Sequence, residues 1–431
     1  MSSEKKYWNI GPFSWVTIEL IIGSLAMLLA YRLTPASIAD ANYRHLHAAE
    51  ASLAYAAILA VTTHALGLHN FVNLQHRWRI LILSMCSVVL TLTLLTTINT
   101  FVFYSQIGRI ILVICGFATV AAGVSLRLAL HRSIIEFPLK VQVTGDASLR
   151  KYLFELAQKG GMPVLLCESQ DADQSHDIVV VQDSELASKQ AIEGHLRIAD
   201  QGRQVFTVAA FVENFYYQIP IQYISPVWIF SINFQHLHPY FHSVKRTLDI
   251  VLAGIGLVLS SPIMIMAIIA IYLESPGPVF YSQIRVGLFQ RPFRIWKLRT
   301  MRLDSEKGGP QWASVSDARV TFVGRILRRT RIDELPQFWN ILRGEMAFVG
   351  PRPERPEFVE QLAREIPYYK QRHLVKPGLT GWAQICYPYG ASIQDAWNKL
   401  SYDFYYMKNS SLILDLQILL QTIGAVSRGA R

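Results

Sequence analysis

Two adjacent carboxylates, Asp333 and Glu334, directly follow residues 285–331, a 47-residue stretch with 12 basic and 3 acidic side chains. An excess of nine positive charges in so short a run calls for an anionic partner. A carboxylate can act as a covalent nucleophile, but against a phosphorylated substrate it must approach an anionic centre. Cations and a metal then have to neutralise the oxygens for the attack to proceed. The carboxylate pair has such cations on its N-terminal side and the segment Gly350-Pro351-Arg352-Pro353 on its C-terminal side. Taken alone, Asp333-Glu334 at what reads as a helix start also has the form of a capping Asp with a first-turn Glu. Its company raises the chemical reading above the capping one.

The elements that must carry this group follow from composition. The chain has 431 residues, is 51% hydrophobic and only 17% charged, and still has a formal net charge of +10. The charge is unevenly placed: residues 1–241 hold 16 basic and 16 acidic side chains, residues 242–431 hold 25 and 15. A basic patch on a soluble protein would suggest nucleic acid. Here it follows an apolar run, so anionic head groups and phosphorylated substrates fit better.

Four apolar segments open the chain, at about 13–31, 48–68, 80–104 and 110–130, each near the roughly 20 residues that span a bilayer. Glu50 and His64 dilute the second. The first reads as a retained anchor, since its run is too long for a signal peptide. Placing the N-terminus inside puts Lys5, Lys6, Arg77, Arg79, Arg127, Arg132 and Lys140 on the cytoplasmic side against Arg32, Arg44 and Arg109 outside. Residues 136–235 alternate short β runs with amphipathic helices, a small Rossmann-like α/β unit. The turn after its first strand, TGDASL, lacks the G-x-G-x-x-G glycines of a dinucleotide site, so a scaffold or regulatory role is expected. Asp171 and Asp173 form a D-x-D that reads as a solvated loop. The cysteines 86, 115, 167 and 386 have the spacing of neither a disulfide framework nor a zinc site.

A fifth apolar run, 250–273, is flanked by Lys245 and Arg246 before it and six basic residues after it, so spanning would put one basic flank on the wrong side. Ser260, Ser261 and Pro262 lie at its middle, where proline removes a backbone donor and a hydroxyl can take the freed carbonyl. The reading is a re-entrant hairpin over about 247–273 that enters and leaves on the cytoplasmic face. The other reading of the same run is a kinked spanning helix. Beyond it, two short strands around a turn and five helices are expected, at 319–329, 334–342, 356–365, 393–407 and 412–426.

From residue 297 on, Lys297-Leu298-Arg299-Thr300-Met301, DELPQFWNILRGEM, VGPRP, KPGLTGWAQ and YDFYYMKNSSLILDL occur in that order. This series resembles the bacterial sugar transferase family, the polyprenyl-phosphate hexose-1-phosphate transferases or monotopic phosphoglycosyl transferases. The likeness runs from about Ser243 to Val426, and the run 351–373 resembles an exopolysaccharide-associated subgroup. The resemblance implies a membrane protein in three parts. These are a four-helix transmembrane region over 1–135, a degenerate α/β domain over 136–235, and a mainly α monotopic catalytic domain with a re-entrant helix over 240–431.

It implies transfer of a hexose-1-phosphate from a UDP-sugar to undecaprenyl phosphate at the cytoplasmic face of the bacterial inner membrane, with release of UMP, as the first membrane step of a glycan such as an exopolysaccharide. On that resemblance Asp333 is the nucleophile and Glu334 holds Mg²⁺. Lys297, Arg299 and Arg328 clamp the phosphates, Arg352 meets the nucleotide end, and Asp403 supports the site, while Asp415 is open to a plain capping role. Lys245, Arg246, Ser261 and Pro262 seat the fold at the membrane. A homodimer is compatible with the extra domains, and nucleic acid is not an expected partner. Two other readings differ in class. A nucleotide-sugar dehydratase or epimerase needs a cofactor glycine fingerprint and a Y-x-x-x-K pair, and neither occurs. A silent scaffold of a polysaccharide assembly complex would predict loss of the carboxylates or cations, and both are present.

Overall fold

The structure is a computed structural model that describes residues 12–34, 48–68, 77–101, 109–136, 139–160, 164–167, 178–182, 189–200, 203–224, 239–303, 319–388 and 392–427, with single positions 107, 229 and 390. Asp171, Asp173, Lys5, Lys6 and Arg44 lie outside the described residues. The chain divides into two compact units, residues 1–142 with 147–177, and residues 143–146 with 178–431.

The first unit carries four helices, α1 (Pro12–Leu33), α2 (Ala48–Ala65), α3 (Arg77–Phe101) and α4 (Arg109–Glu136). α1 packs on α2 and α4, and α3 packs on α2 and α4. Met27, Ala30, Tyr55, Leu59, Leu95 and Cys115 fill the space between them. Several of their polar groups pair internally, as a low-dielectric surrounding favours: the Tyr55 hydroxyl lies 2.9 Å from Thr119 Oγ1, and Arg127 pairs with Glu19. The unit continues into residues 139–142 of strand β1 (Leu139–Thr144), helix α5 (Ala147–Gly160) and strand β2 (Val164–Cys167), with β1 and β2 parallel from Leu139 opposite Val164 to Gln142 opposite Cys167.

The second unit contains strand β3 (Ile178–Val181), helix α6 (Lys189–Asp200), strand β4 (Gln204–Thr207) and helix α7 (Val208–Tyr216). β3 and β4 are again parallel, in register from Ile178 opposite Gln204. Strand leads directly into helix at Thr207, whose hydroxyl caps the Ala210 amide. α7 ends at Tyr216, inside the stretch 136–235 that the sequence reads as the α/β unit. The segment after it is fixed on the C-terminal part of the chain: Trp382 Nε1 donates to the Tyr217 carbonyl at 2.9 Å and the Ile219 amide to the Ser401 carbonyl at 2.9 Å.

The apolar run with Ser261-Pro262 forms one continuous helix, α8 (Pro239–Glu274), rather than a hairpin. Pro262 leaves the Val258 carbonyl without its helical donor, and Ser261 Oγ donates to that carbonyl at 2.8 Å. One stripe of α8 turns inward, where Ala253 is buried with Ile295, Ile341 and Met346. A Cβ on Gly256 would stand 2.8 Å from the Phe338 ring, so this contact requires glycine. Further along, Ala267 and Ile271 are buried with Leu298 and Leu327, whereas Val258, Leu259, Met266 and Leu273 are exposed. Among the described residues, four helical stretches are long and apolar enough to cross a membrane: Ser14–Leu33, Ile80–Thr100, Arg109–Leu130 and His242–Glu274. The shorter, more polar α2 is not among them, so the set of four differs from the one read from the sequence: α8 enters and α2 leaves.

After α8 come an antiparallel pair, β5 (Phe280–Val286) and β6 (Pro292–Leu298), then helices α9 (Phe322–Thr330) and α10 (Gln337–Arg343). Strand β7 (Ala347–Val349), helix α11 (Pro356–Glu365), strand β8 (Gly378–Thr380) and helices α12 (Trp382–Cys386), α13 (Ile393–Asn409) and α14 (Leu412–Ser427) complete the chain. The pattern-based helices match these within a few residues. The parallel β7–β8 pair does not appear in that reading, because three residues are too few to show a period.

Candidate active site

Asp333 and Glu334 do not start a helix. They sit in a 3₁₀ turn, residues 332–334, between α9 and α10. Arg331 leads into it in the left-handed conformation, φ 58°. Neither carboxylate caps a helix in the expected way, since the residue before α10 is Pro336 and makes no side-chain cap. The turn instead holds both side chains almost out of solvent, each residue 7% exposed.

Three cations converge on one oxygen of Glu334. Arg352 Nη2 lies 2.7 Å from Oε1, Lys297 Nζ 3.0 Å and Arg331 Nη1 3.7 Å. Burial alone would raise the Glu334 pKa, but Arg352, Lys297 and Arg331 outweigh it and hold the carboxyl well below the usual range. Asp333 has the opposite fate: burial, and then the negative Glu334 beside it, push its pKa from 3.8 up to about 6 against the pull of Lys297, Arg331 and Arg328. Asp333 Oδ1 is buried and accepts no hydrogen bond from the described residues. Two neighbouring carboxylates thus have distinct states, one saturated with cations and one carrying an unused lone pair. Environments that separate a pair in this way are characteristic of functional sites.

Each cation arrives on its own element. Lys297 is carried by β6, which Asn340 of α10 grips at two points, accepting from the Trp296 amide at 3.2 Å and donating to the Arg294 carbonyl at 2.7 Å. That grip fixes the strand bearing Lys297 against the helix that follows the carboxylates. Arg352 stands on the loop leaving β7, where four successive carbonyls are each bound. Pro351 accepts from the Gly378 amide, Arg352 from Arg372, Pro353 from Arg285 and Glu354 from the Val286 amide. Arg328 Nε donates to Thr300 Oγ1 at 2.9 Å.

The sequence-predicted residues therefore separate into two sets. Asp333, Glu334, Lys297 and Arg352 come together, with Arg328 close enough to act on Asp333 electrostatically. Arg299 does not join them, because its guanidinium binds the Ser275 carbonyl just beyond the end of α8, where free helix carbonyls attract a cation. Asp403 is not at the site surface either: it is 1% exposed and paired with Arg372 at 2.7 Å. Lys245 pairs with Asp415, whose other oxygen lies 2.8 Å from the Tyr406 hydroxyl, so Asp415 is an ion-pair partner as well as a first-turn acid of α14. Arg246 donates to the Ile341 and Leu342 carbonyls at 2.5 and 2.7 Å, closing the C-terminal end of α10. These two cations bind α8 to the rest of the second unit, whatever else they meet.

Two residues escaped the sequence reading. Arg331 carried only the signal of being the last charge of the basic block, three residues before Glu334. Arg372 gave none, since its partner Asp403 lies 31 positions away.

Among the described residues no three His, Cys, Asp or Glu side chains gather as a protein-only metal cage. Mg²⁺ does not need one, because it characteristically takes one or two carboxylates and completes its shell with water and substrate phosphate. Glu334 fits that demand, since the cations that meet it all do so at Oε1.

Residues 240–429 match the model of the bacterial sugar transferase family. The chain is 46% identical over 219 residues to the UDP-N-acetylgalactosamine-undecaprenyl-phosphate N-acetylgalactosaminephosphotransferase of Aeromonas hydrophila, covering 48% of this chain and 52% of that one. It is 41% identical over 191 residues to the UDP-glucose:undecaprenyl-phosphate glucose-1-phosphate transferase of Escherichia coli, 43% of this chain and 41% of that one. With the protein of the same name from Caulobacter vibrioides it shares 42% identity over 181 residues, 42% of this chain and 68% of that one. The chain thus spans about half or less of the first two relatives' length and two thirds of the third. With the ordered motifs, the gathered carboxylates and cations and these likenesses in agreement, the chain belongs to the bacterial sugar transferase family.

Proposed function

We propose that this protein transfers a sugar-1-phosphate from a UDP-sugar to undecaprenyl phosphate in two displacements. The observation that carries the reading is Asp333 Oδ1, a buried carboxylate oxygen without a partner beside a Glu334 already satisfied by cations. In the first displacement an Asp333 oxygen attacks the sugar-bearing phosphorus, a P–O bond forms, and the bond to the UMP oxygen breaks with its electron pair leaving on UMP. In the second, the phosphate oxygen of the lipid attacks the same phosphorus, the aspartyl–phosphorus bond breaks, and Asp333 returns as a carboxylate. With a pKa of about 6 it is ionised near neutral pH and more basic than an ordinary aspartate, a balance that favours a nucleophile.

Lys297, Arg331 and Arg352 then serve twice: they fix Glu334, and they face the donor's phosphate oxygens, with the planar fork of Arg352 suited to bidentate contact. Glu334, whose three cations all meet Oε1, is the residue that would hold Mg²⁺, which when bound would supply charge neutralisation for the diphosphate.

In the same proposal residues 1–135 anchor the chain, residues 136–235 form a Rossmann-like domain without a dinucleotide fingerprint, and the catalytic part over 240–431 lies at the cytoplasmic face of the inner membrane. α8 acts there as a re-entrant element, because basic residues flank both its ends. The glycan started is an exopolysaccharide or a relative of one. The relatives' names make UDP-glucose and UDP-N-acetylgalactosamine the first donors to test. Purified protein with Mg²⁺ and undecaprenyl phosphate is expected to release UMP from one of a panel of UDP-sugars, and Asp333→Asn to abolish release. Normal turnover by the Asn variant would reject the nucleophile. A silent scaffold would release UMP from none of the panel.

A further inference from the structure

We infer that Arg372, a residue buried away from the reacting groups, is a positioning residue that fixes Arg352 for its work on Glu334 and the donor phosphates. The inference rests on the proposed reaction and extends it to a residue one step removed from the site. Arg372 is 6% exposed, and three groups hold its guanidinium. Nη2 donates to Asp403 at 2.7 Å, Nη1 to the Tyr369 hydroxyl at 2.8 Å, and the group lies 5.2 Å from the centre of the Tyr369 ring. Its remaining bond, Nη2 to the Arg352 carbonyl at 3.1 Å, points toward the site. Asp403 is 1% exposed, and its burial opposes the pull of Arg372 on its carboxyl. A buried pair of this kind is a weak source of stability, because its desolvation offsets its attraction. What it supplies is a fixed direction.

That direction matters because of where the Arg352 carbonyl lies. The carbonyls of Pro351 and Glu354 accept backbone amides, and that of Pro353 accepts Arg285, a residue of strand β5. The Arg352 carbonyl alone among the four depends on a side chain that is itself held by buried partners. On the other side of the same residue, the Arg352 guanidinium reaches Glu334 at 2.7 Å while remaining 36% exposed. Its contact with Glu334 and its availability to substrate both depend on how its backbone is set. A line of direct contacts therefore runs from helix α13 through Asp403, Arg372 and Arg352 to Glu334. Lysine at 372 would keep the charge next to Asp403 but has no planar fork to hold the carboxylate, the phenol and the carbonyl together.

The test is a double-mutant cycle on UMP release by the full-length protein, using Arg372→Lys, Arg352→Ala and the double variant. Displacing a substrate-facing group by about 1 Å can cost about 100-fold, so Arg372→Lys is expected to lose roughly 10- to 100-fold in kcat/KM. If Arg372 acts through Arg352, the double variant is no slower than Arg352→Ala within about threefold. If the losses multiply, the inference is overturned. Tyr369→Phe, which removes one hydrogen bond and leaves the charges alone, takes the place of Arg372→Lys if that variant does not fold.

A second arm needs no turnover: amide hydrogen exchange of Gly350, Arg352, Glu354 and Arg355 in the substrate-free protein. Faster exchange there, with α10 and β6 unchanged, is the expected result. Unchanged exchange in that segment rejects the inference. Should the unaltered protein release UMP from no UDP-sugar, the proposed reaction fails and the exchange arm alone decides the role of Arg372.

Discussion

Asp333→Asn is expected to make the protein more stable while removing its activity, and the gain should depend on pH in a calculable way. In the folded chain the Asp333 pKa is raised from 3.8 to about 6 by burial and by Glu334. A carboxyl whose pKa is raised on folding binds its proton more tightly in the native state. The protonated form therefore contributes stability at low pH that is lost as pH climbs from about 4 through 6. Each pK unit corresponds to about 1.36 kcal/mol. Asn mimics the protonated acid and skips this loss, so by linkage its advantage grows from about 0.6 kcal/mol at pH 4 to about 1.6 at pH 5 and about 3 at pH 7.5. A unit of this size gains roughly 2–4 °C in Tm per kcal/mol. The assay is thermal unfolding of detergent-solubilised, Mg²⁺-free protein from pH 4 to 8, with the two curves compared at each pH. An Asn variant that is less stable at pH 7.5, or a gap that does not widen with pH, would refute the claim that Asp333 is an uncomfortably buried, unpaired carboxylate.

Glu334→Gln should behave with the opposite sign. The folded pKa of Glu334 is depressed, so its contribution is present above its ordinary 4.5 and lost as pH falls; the variant should melt below the unaltered protein at pH 7.5 and approach it in acid, read in the same unfolding series. Catalysis should show an acid limb in kcat/KM near pH 6, set by protonation of Asp333, and a UMP-release profile flat from pH 5 to 8 would contradict the nucleophile assignment. Gly350→Ala places a Cβ 2.3 Å from the Lys376 carbonyl, on the loop that carries Arg352. Overpacking of this kind typically costs about 1–3 kcal/mol, so both a lower Tm and a loss of UMP release are expected, whereas unchanged values of both would argue that the β7–β8 contact is not rigid.

Much of the architecture could be read from periodicity and composition, because long apolar runs and amphipathic helices repeat one signal over many residues. The helix predicted at 356–365 appears with those limits, and the two strands predicted around the turn after α8 appear as β5 and β6. The nucleophile candidate and its acidic neighbour were also readable, since they are adjacent and follow a basic block. Tertiary choices were not. Nothing in the local sequence distinguishes Lys297, which reaches Glu334, from Arg299, two residues later on the same run, which turns to the Ser275 carbonyl. Residues two apart in a strand share a face, but β6 ends at Leu298, and the chain leaves the strand before Arg299. Arg372 was invisible for a similar reason: its meaning comes from Asp403 and the Arg352 carbonyl, both distant in sequence.

The placement of the arginines also alters what the net charge of +10 signifies. If every basic residue after position 241 met a phosphate or a lipid head group, the excess would count anionic partners. Several do something else. Arg246 closes α10 at the Ile341 and Leu342 carbonyls, Arg299 takes the Ser275 carbonyl past α8, Arg285 binds Pro353 and Arg372 binds Arg352. Each binds a backbone oxygen at a helix end or in a loop, where an unmet acceptor would be costly, although the Ile341 carbonyl also accepts the Gly344 amide. Among the described residues only Lys297, Arg331 and Arg352 converge on Glu334, and Arg328 influences Asp333 from nearby. Several arginines of the second unit thus serve short elements whose carbonyls they close, so the net charge is not a count of anionic partners. Replacing the carbonyl-binding arginines should therefore lower stability first and substrate affinity second, the reverse of what replacing Lys297 or Arg352 should do.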